Sequence, residues 1–309
     1  MLVSNDFEMI KKTLYFGNPC YLRREQEQLV VEFPDGEQKR HTVPIEDAGI
    51  VILDHQRITI TQGLLAALSE NNTVVVNCDH KHMPFSLLLP AASHHAFTEK
   101  LRYQMEASLP LKKNLWQQTI IAKIRNQAAL LDFLGLDSKR LTHLANQVKS
   151  DDNGNCEARA AAWYWDMLIK EPGYRRHRYG DPPNNLLNYG YSILRSVCAR
   201  SLVGSGLLLA IGIHHRNKYN PFCLADDIME PYRPWVDRLV VEISVEFDDL
   251  EELTREMKSR LLTIPAIDVR IGQQKSPLMV AMRRTTASLM DCYEGLTRKL
   301  LFPDPDMHA

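Results

Sequence analysis

The chain has 309 residues, of which 45% are hydrophobic and 24% charged, and its formal net charge is −1. This composition is that of a globular protein large enough to bury a sizeable core. Because 37 Lys and Arg residues balance 38 Asp and Glu residues, the overall charge does not demand nucleic acid, and any binding of a polyanion must come from local patches.

Two features of the sequence argue against export and membrane insertion. Asp6 and Glu8 interrupt the N-terminal stretch where a signal peptide needs an apolar run. The most apolar segment, residues 201–213, is well short of the roughly 20 residues that span a bilayer. The six cysteines are scattered and form no C-x-x-C motif, which favours reduced thiols. We therefore expect a cytoplasmic protein with no membrane association.

The first part of the chain has the period-two pattern of β-strands. The runs LVVEF and KRHTVPI flank the tight-turn signature Pro34-Asp35-Gly36, and the runs GIVILD and TVVVNCD predict two further strands. Between these last two runs, residues 61–70 predict one short helix.

The pattern changes after Pro90, where apolar residues recur every three or four positions, as in helices. We therefore predict an α+β fold class, with a small N-terminal β-rich domain at residues 1–85, a linker at 86–95 and a larger, mainly α-helical domain at 96–309. The segment CDHKHMP, residues 78–84, has no second pair of ligands at zinc-finger spacing, so we interpret it as a polar turn between the domains.

Glu157 lies in the first turn of a predicted helix that begins after residues 153–155, where an Asn can cap the helix. At 3.6 residues per turn it shares an apolar stripe with Ala161, Tyr164 and Leu168. A carboxylate on a buried face must be protonated, paired or bound to a metal ion. Alternatively, Glu157 only interacts with the N-terminal end of its own helix.

The stretch GIHHRNKYNPFCLADDIMEP, residues 212–231, concentrates two adjacent histidines, two aspartates and a glutamate. Residues 224–230 predict a helix on which Asp227 and Glu230 share a face. Three interpretations are open: a metal site, an acid–base pair, or a solvated turn without function.

The metal interpretation requires that His215 and Glu230 converge on Glu157. Two carboxylates in close contact repel, so that one takes up a proton unless a cation lies between them. Oxygen and nitrogen ligands without thiolate suit Mg²⁺ or Mn²⁺, and such a site would serve phosphoryl transfer.

Several segments resemble one known family. The run from Gly212 to Asp237, with its Gly-x-x-His motif and its ADDIMEPYRPWVD, resembles the signature of the CRISPR-associated adaptation integrases, the family called Cas-one. The segments VPIEDAGIVILD, CEARAAAWYW and NNLLNYGYSILR resemble, in the family's order, its N-terminal β-domain, its glutamate-bearing helix and the helix before its histidine. The resemblance covers about residues 10–303 and is closest to the type II form.

The resemblance implies a metal-dependent DNA endonuclease and integrase that uses Mg²⁺ or Mn²⁺ in the helical, catalytic domain. By motif position, Glu157, His215 and Glu230 are the catalytic residues and the metal ligands. Counting from the glycine of the motif selects His215 and not His214, which is then a neighbour of the site. Many relatives carry Asp where Glu230 stands, and both residues offer a carboxylate. Asp227 is interpreted as an acid that orients a ligand or a basic partner.

The implied reaction inserts new spacer DNA into a CRISPR array by transesterification, in which the 3′-hydroxyl of a short prespacer duplex attacks a phosphodiester at the edge of a repeat. The implied partners are DNA, a second copy of the chain in a homodimer, and a dimer of the small Cas-two protein that bridges two such dimers.

An arginine-rich loop offers a local basic patch for DNA. Residues 170–185 are rich in Pro, Gly and Arg and predict a long loop, in which Arg175, Arg176 and Arg178 form a hypothetical DNA contact or simply a solvated face. Three other functions remain possible: a small-molecule metallohydrolase, a metal-dependent nuclease of branched DNA in repair, and a non-catalytic DNA-binding scaffold of the adaptation complex.

Overall fold

The computed structural model describes residues 11–34, 40–91, 94–169, 174–177 and 179–308. The chain divides into two compact units, Met1–Ser93 and His94–Ala309. No helix within the described ranges is both long and apolar enough to cross a membrane.

The described residues of the first unit form two four-stranded sheets and one α-helix. One sheet has the order β1 (Lys12–Phe16), β5 (Ala48–Leu53), β7 (Val74–Cys78), β8 (Pro84–Leu88). The other has the order β4 (His41–Pro44), β3 (Gln28–Glu32), β2 (Cys20–Glu25), β6 (Ile58–Ile60). Helix α1 (Gln62–Glu70) and the two sheets bury one shared apolar cluster.

The strands and the helix that the sequence predicts in this unit are confirmed. Strands β3 and β4 pair antiparallel, with Val30 opposite Thr42, as two strands joined by a tight turn should. Asp35 and Gly36 of the predicted turn lie outside the described residues.

The prediction of a turn between domains at residues 78–84 is wrong. The segment is the turn of a hairpin inside the first unit, because β7 and β8 pair antiparallel across it. The Asp79 carboxylate closes this turn by accepting hydrogen bonds from the backbone N–H groups of Lys81 and Met83. His82 lies in the turn, and its Nδ1 is 2.8 Å from Oδ1 of the buried Asp54.

The second unit is mainly helical within its described residues. Its helices are α2 (Phe97–Glu106), α3 (Leu109–Phe133), α4 (Lys139–Ala145), α5 (Cys156–Leu168), α6 (Asn184–Gly204), α7 (Cys223–Met229), α8 (Arg233–Glu246), α9 (Arg255–Leu261) and α10 (Leu278–Tyr293). A short hairpin, β9 (Asp268–Ile271) and β10 (Gln274–Pro277), precedes α10. The predicted α+β fold class is therefore confirmed.

The long helix α3 is central to the helical unit. It begins at Ser108, whose hydroxyl accepts a hydrogen bond from the Leu111 N–H, and Pro110 lies in the first turn, where its missing N–H costs no hydrogen bond. Apolar side chains such as Leu115 and Ile120 are fully buried. Helix α3 contacts α5, which carries Glu157, and the 3₁₀ turn Glu230–Tyr232. Its Trp116 also packs against the ring of His215.

Helices α6 and α8 approach each other closely at Gly190. A Cβ atom on this residue would lie 2.5 Å from Val236 Cγ1, a separation that Cβ atoms in proteins essentially never show. The absence of a side chain at Gly190 allows the close contact. It also brings Tyr191 of α6 next to Asp237 of α8.

Candidate active site

Glu157 is held at the start of α5 by a cap that the sequence did not predict. The carboxylate of Asp152 accepts hydrogen bonds from the N–H groups of Cys156 and Glu157, both at 2.9 Å. Asn155 is in the left-handed region and makes no capping hydrogen bond with its side chain, so the prediction of an Asn cap is wrong.

The predicted position of Glu157 in a buried stripe is also only partly right. Tyr164 and Leu168 are buried, but the stripe starts from Cys156 and Ala160, one residue before the predicted register. The side chain of Glu157 is therefore 36% exposed, at the border of the buried face. Its Oε1 accepts a hydrogen bond from the Lys123 ammonium at 2.6 Å.

Asp227 fixes the loop that carries the two histidines. It is fully buried, and its carboxylate accepts hydrogen bonds from the backbone N–H groups of Ile213, His214 and His215 at 2.6, 3.0 and 3.3 Å. A Cβ atom at Gly212 would lie 2.8 Å from Asp227 Oδ2 and 2.5 Å from the His215 carbonyl oxygen. Glycine is needed there because the loop closes on the carboxylate without room for a side chain.

The same carboxylate orients His215. Its Oδ1 lies 2.5 Å from His215 Nδ1, and this hydrogen bond is the largest cause of the raised pKa of the imidazole. With Nδ1 taken by Asp227, Nε2 is the ring atom through which His215 would act as a ligand. Attraction to Glu230 also contributes to the raised pKa, which places the two side chains in the same electrostatic neighbourhood.

The side chain of His214 has different partners from that of His215. Its ring stacks on Trp116, with centroids 4.3 Å apart, and its Nδ1 is 3.6 Å from a carboxylate oxygen of Asp151. The ring of His215 meets the same tryptophan edge-on at 5.7 Å. Trp116 therefore packs against both histidines and holds their rings at different angles.

Glu230 begins the 3₁₀ turn Glu230–Tyr232 that follows α7, and it is buried between two cations. Its Oε2 lies 2.7 Å from Lys123 Nζ, and its Oε1 lies 2.9 Å from a guanidinium nitrogen of Arg233. Burial, the largest single effect, raises the pKa of Glu230, but Arg233 and Lys123 outweigh it and lower the pKa to about 2. Glu230 is therefore a carboxylate, and not a carboxylic acid, at neutral pH.

Lys123 joins the two predicted acidic ligands. It projects from α3 with a side chain only 10% exposed, and its single ammonium contacts both Glu157 and Glu230. Burial, the largest effect, lowers the pKa of Lys123, but Glu230 and Glu157 more than offset this, so the pKa is raised overall. Within the part of the chain that the structure describes, no group of three or more His, Cys, Asp and Glu side chains forms a ready cage for a metal ion, and an ammonium lies where the two carboxylates meet.

The residues nevertheless fit a hard divalent cation in their chemistry. Two carboxylates approach closely enough to bind one cation, since each has an oxygen within 2.7 Å of the same nitrogen. His215, with Nδ1 already committed to Asp227, is near enough to Glu230 for their attraction to raise its pKa. Oxygen donors with one nitrogen donor and no thiolate are the set that Mg²⁺ or Mn²⁺ prefers over a structural zinc ion.

A buried polar cluster continues from this site. The carboxylate of Asp237 accepts hydrogen bonds from the hydroxyls of Tyr164, at 2.7 Å, and Tyr191. The guanidinium of Arg233 lies 4.4 Å from the centre of the Tyr191 ring, and that of Arg176 lies 5.2 Å from the same centre. Arg233 therefore connects Glu230 to the packing between α6 and α8.

The structure separates the three arginines that the sequence grouped together. Arg175 is exposed. Arg176 is half-buried and donates hydrogen bonds to the side-chain oxygens of Asn184, at 2.9 Å, and Asn188, at 2.8 Å. Arg178 lies outside the described residues.

A basic groove lies beside His215 and was not anticipated from the sequence. Its volume is about 820 Å³, and no Asp or Glu side chain is among the residues that line it. Lys112, Arg216 and Lys218 lie along it, and Tyr219 is 81% exposed, with the Lys218 ammonium 4.8 Å from its ring centre. This combination of cations and an exposed aromatic ring suits a nucleic acid strand.

Lys123 and Arg233 are the two cations of the site, and the sequence analysis missed both. The sequence did contain a signal for Lys123. This lysine interrupts the apolar run TIIAKIRNQAALL, and the other residues on the same face of the helix are buried. A lysine within a buried face needs an anionic partner, but the sequence does not indicate which acid it meets.

A family model and a curated relative place this chain in the same protein family. The family model for CRISPR associated protein Cas1 matches residues 14–246. The CRISPR-associated endonuclease Cas1 of Neisseria meningitidis serogroup C (strain 8013) is 37% identical over 293 residues, which cover 94% of each chain. This chain therefore belongs to the Cas1 family of CRISPR-associated proteins.

Solved structures share the fold. A casposase bound to integration product superposes with a TM-score of 0.78 at 21% identity, over 94% of this chain and 92% of that one. A Cas6-RT-Cas1–Cas2 complex gives a TM-score of 0.71 at 20% identity, over 94% of this chain and 36% of the longer one.

Proposed function

We propose that this protein is a divalent-metal-dependent DNA endonuclease and integrase, which inserts new spacer DNA into a CRISPR array by 3′-hydroxyl transesterification. The observation that carries the proposal is the convergence of Glu157 and Glu230 on the single ammonium of Lys123. His215, whose Nδ1 is fixed by Asp227, is electrostatically coupled to Glu230. Membership of the Cas1 family and the 37% identity to a Cas1 endonuclease support the same conclusion.

Each of the three residues has a distinct part in binding the ion. Glu157 and Glu230 supply negative charge, and Glu230 remains charged because Arg233 and Lys123 lower its pKa. His215 supplies Nε2 at a fixed angle, since Asp227 and Trp116 hold the ring. When bound, Mg²⁺ or Mn²⁺ would polarise the phosphate and stabilise the charge that develops on the attacking and departing oxygens.

The proposed reaction exchanges one phosphodiester for another. The 3′ oxygen of the prespacer forms a bond to phosphorus, and the bond to the departing oxygen of the repeat strand breaks in line with it. The proton lost by the attacking hydroxyl is balanced by the proton gained by the departing oxygen, so the reaction needs no external energy source.

The surroundings of His215 suit a DNA substrate. The acid-free groove with Lys112, Arg216, Lys218 and Tyr219 leads to the histidine and can take a strand whose phosphate reaches the site. The casposase that shares the fold is bound to integration product, which supports DNA as the ligand of this chain. Arg175 is a further proposed DNA contact.

The proposed assembly is a homodimer, two of which are bridged by a dimer of the small Cas2 protein. A structural neighbour of this chain is a complex that contains both Cas1 and Cas2. Prespacer DNA and the CRISPR repeat complete the set of partners.

The test combines integration and cleavage with matched variants. The protein and its Cas2 partner are incubated with a short duplex with free 3′-hydroxyls and a plasmid carrying a repeat, in Mg²⁺ or Mn²⁺. Glu157→Gln, His215→Asn and Glu230→Gln should each lower the rate of joining by at least about 100-fold. Asp166→Asn, on the exposed face of α5, and His143→Asn, exposed on α4, should join DNA at the wild-type rate.

Other outcomes would point elsewhere. Cutting of branched DNA without joining would favour a repair nuclease. Binding of DNA and Cas2 with neither reaction would favour a scaffold. Equal joining by all the variants would place the active site at other residues.

A further inference from the structure

The ammonium of Lys123 occupies a position that the proposed function gives to a metal ion. It contacts Glu157 Oε1 at 2.6 Å and Glu230 Oε2 at 2.7 Å, and its side chain is almost wholly removed from solvent. A buried lysine that pairs with two carboxylates at once neutralises a charge conflict that would otherwise open the site or protonate an acid.

The two carboxylate oxygens of Glu230 contact different cations, so one oxygen can change its partner while the other keeps it. Arg233 holds Oε1, and Lys123 holds Oε2. Loss of the lysine contact therefore frees one oxygen while Arg233 keeps the carboxylate in place. Arg233 is itself half-buried, with its guanidinium over the Tyr191 ring, whereas the ammonium of a lysine is carried by a flexible four-carbon chain.

We propose that Lys123 is a positioning residue that substitutes for the divalent ion: its ammonium holds Glu157 and Glu230 together before the ion binds, and is displaced from between them when the ion enters. This inference rests on the metal site of the proposed function. Its new element is that Lys123 competes with the divalent ion and so reduces the affinity of the site for that ion. The same contacts keep the two carboxylates assembled before the ion binds.

Displacement follows from charge and space. An ammonium and a divalent cation cannot both lie between the same two oxygens, because they repel each other and each needs those oxygens as its nearest neighbours. Lys123 can swing away about its side-chain torsions while its stem stays packed in α3. The divalent ion has twice the charge and attracts both carboxylates more strongly, so it wins the competition once its concentration is sufficient.

The test measures Mn²⁺ binding and thermal stability of the full-length protein, with no DNA present. Lys123→Met removes the competing charge but keeps the length and apolar body of the stem. The dissociation constant for Mn²⁺, measured by calorimetric titration, should fall about tenfold, because binding no longer has to displace an ammonium. The melting temperature without metal should fall, because two carboxylates are left facing each other.

Three further variants give the result its meaning. Lys123→Arg keeps a positive charge and should bind Mn²⁺ no more tightly than wild type. Lys258→Met removes another buried lysine, whose ammonium lies 5.9 Å from the Tyr189 ring, and should leave the affinity for Mn²⁺ unchanged. Glu157→Gln removes a proposed ligand and should abolish Mn²⁺ binding.

Failure of the inference and failure of the proposed function give different results. If wild type binds Mn²⁺ through Glu157 but Lys123→Met binds it equally or more weakly, Lys123 is only a structural ion-pair partner and the competition is refuted. If no variant binds Mn²⁺, or if Glu157→Gln binds it as wild type does, the metal site itself is wrong. If Lys123→Met does not fold, Lys123→Gln, which keeps a neutral polar end, takes its place with the same expected tightening.

Discussion

Asp237 is a buried acid of the helical unit whose pKa is raised by its surroundings. It is 1% exposed, and burial is the largest cause that raises its pKa to about 6, although hydrogen bonds from Tyr191 and Tyr164 and attraction to Arg233 and Arg176 oppose the rise. The ordinary pKa of this carboxyl group, which applies in the unfolded chain, is near 3.8. The folded protein therefore binds a proton at Asp237 more readily than the unfolded chain does.

The stability of the protein should depend on pH through this group. A raised pKa stabilises the folded state below the ordinary value, and this contribution is lost as the pH rises from about 4 to about 6. Asparagine does not titrate, so Asp237→Asn should not lose stability in this way. Between pH 4 and 6 the unfolding free energy of wild type should therefore fall relative to that of the variant, by at most about 3 kcal/mol. Urea unfolding at pH 4, 5, 6 and 7 measures the shift, and Asp226→Asn serves as the control. Parallel curves for wild type and Asp237→Asn would contradict the prediction.

At this scale the sequence allowed the ligand candidates to be named but not the residues that hold them. Glu157, His215 and Glu230 could be proposed because each lies in a local motif, and the resemblance to a known family grouped the three motifs. Lys123 could not be linked to them, because it is 34 residues from Glu157 and its pairing is decided by how the helices pack. Asp227 was interpreted as an orienting acid, and its hydrogen bond to His215 agrees with that interpretation.

The arginine-rich loop provides the prediction that belongs to a single element. Arg175 is exposed, whereas Arg176 is bound to Asn184 and Asn188 and stacked on Tyr191. Two adjacent arginines therefore have different tasks, although the sequence treats them alike.

We expect Arg175→Ala to weaken DNA binding equally for all sequences and to reduce the salt dependence of the affinity by about one unit in the log–log slope, because one phosphate contact is lost. Arg176→Ala should instead lower the melting temperature, since it removes contacts that attach the loop to α6. Fluorescence anisotropy with a labelled duplex at several salt concentrations, together with thermal unfolding, distinguishes the two effects. An unchanged slope for Arg175→Ala would remove this arginine from the DNA contacts.

Helix boundaries show why local patterns locate an element more easily than its ends. The start of α5 was predicted within a residue or two, but the cap was assigned to an Asn, and Asp152 performs it from four residues before Cys156. The register of the buried stripe was also off by one residue. Which side of α5 is buried depends on α3 and α4, and this packing is not visible in the periodicity of α5 alone.

On the scale of the whole molecule, each compact unit has a core of its own. The sheets and α1 of the first unit enclose one apolar cluster, and the buried side chains of α3, α6 and α8 belong to the second unit. The change of period near Pro90 was enough to predict the α+β class. The hairpin of β7 and β8 was missed because PFSLL begins with a proline and lacks a regular alternation of apolar and polar residues.

A fragment with residues 94–309 should fold without the first unit and bind Mn²⁺ with an affinity within about threefold of the full chain, because Glu157, His215, Glu230 and Lys123 all lie within it. Circular dichroism should show one cooperative thermal transition, and calorimetric titration gives the affinity. Aggregation, or a non-cooperative transition, would mean that the helical unit needs the β-rich unit to fold.

The close approach at Gly212 has a consequence for anyone who surveys genomes for working copies of this family. The loop closes on Asp227 only because residue 212 has no side chain, so a copy can retain all three proposed ligand residues and still be unable to form the site. An inventory that judges copies by the ligands alone will count such degenerate genes as intact. Two positions outside the proposed ligand set, Gly212 and Asp227, therefore belong among the criteria by which a functional gene is recognised.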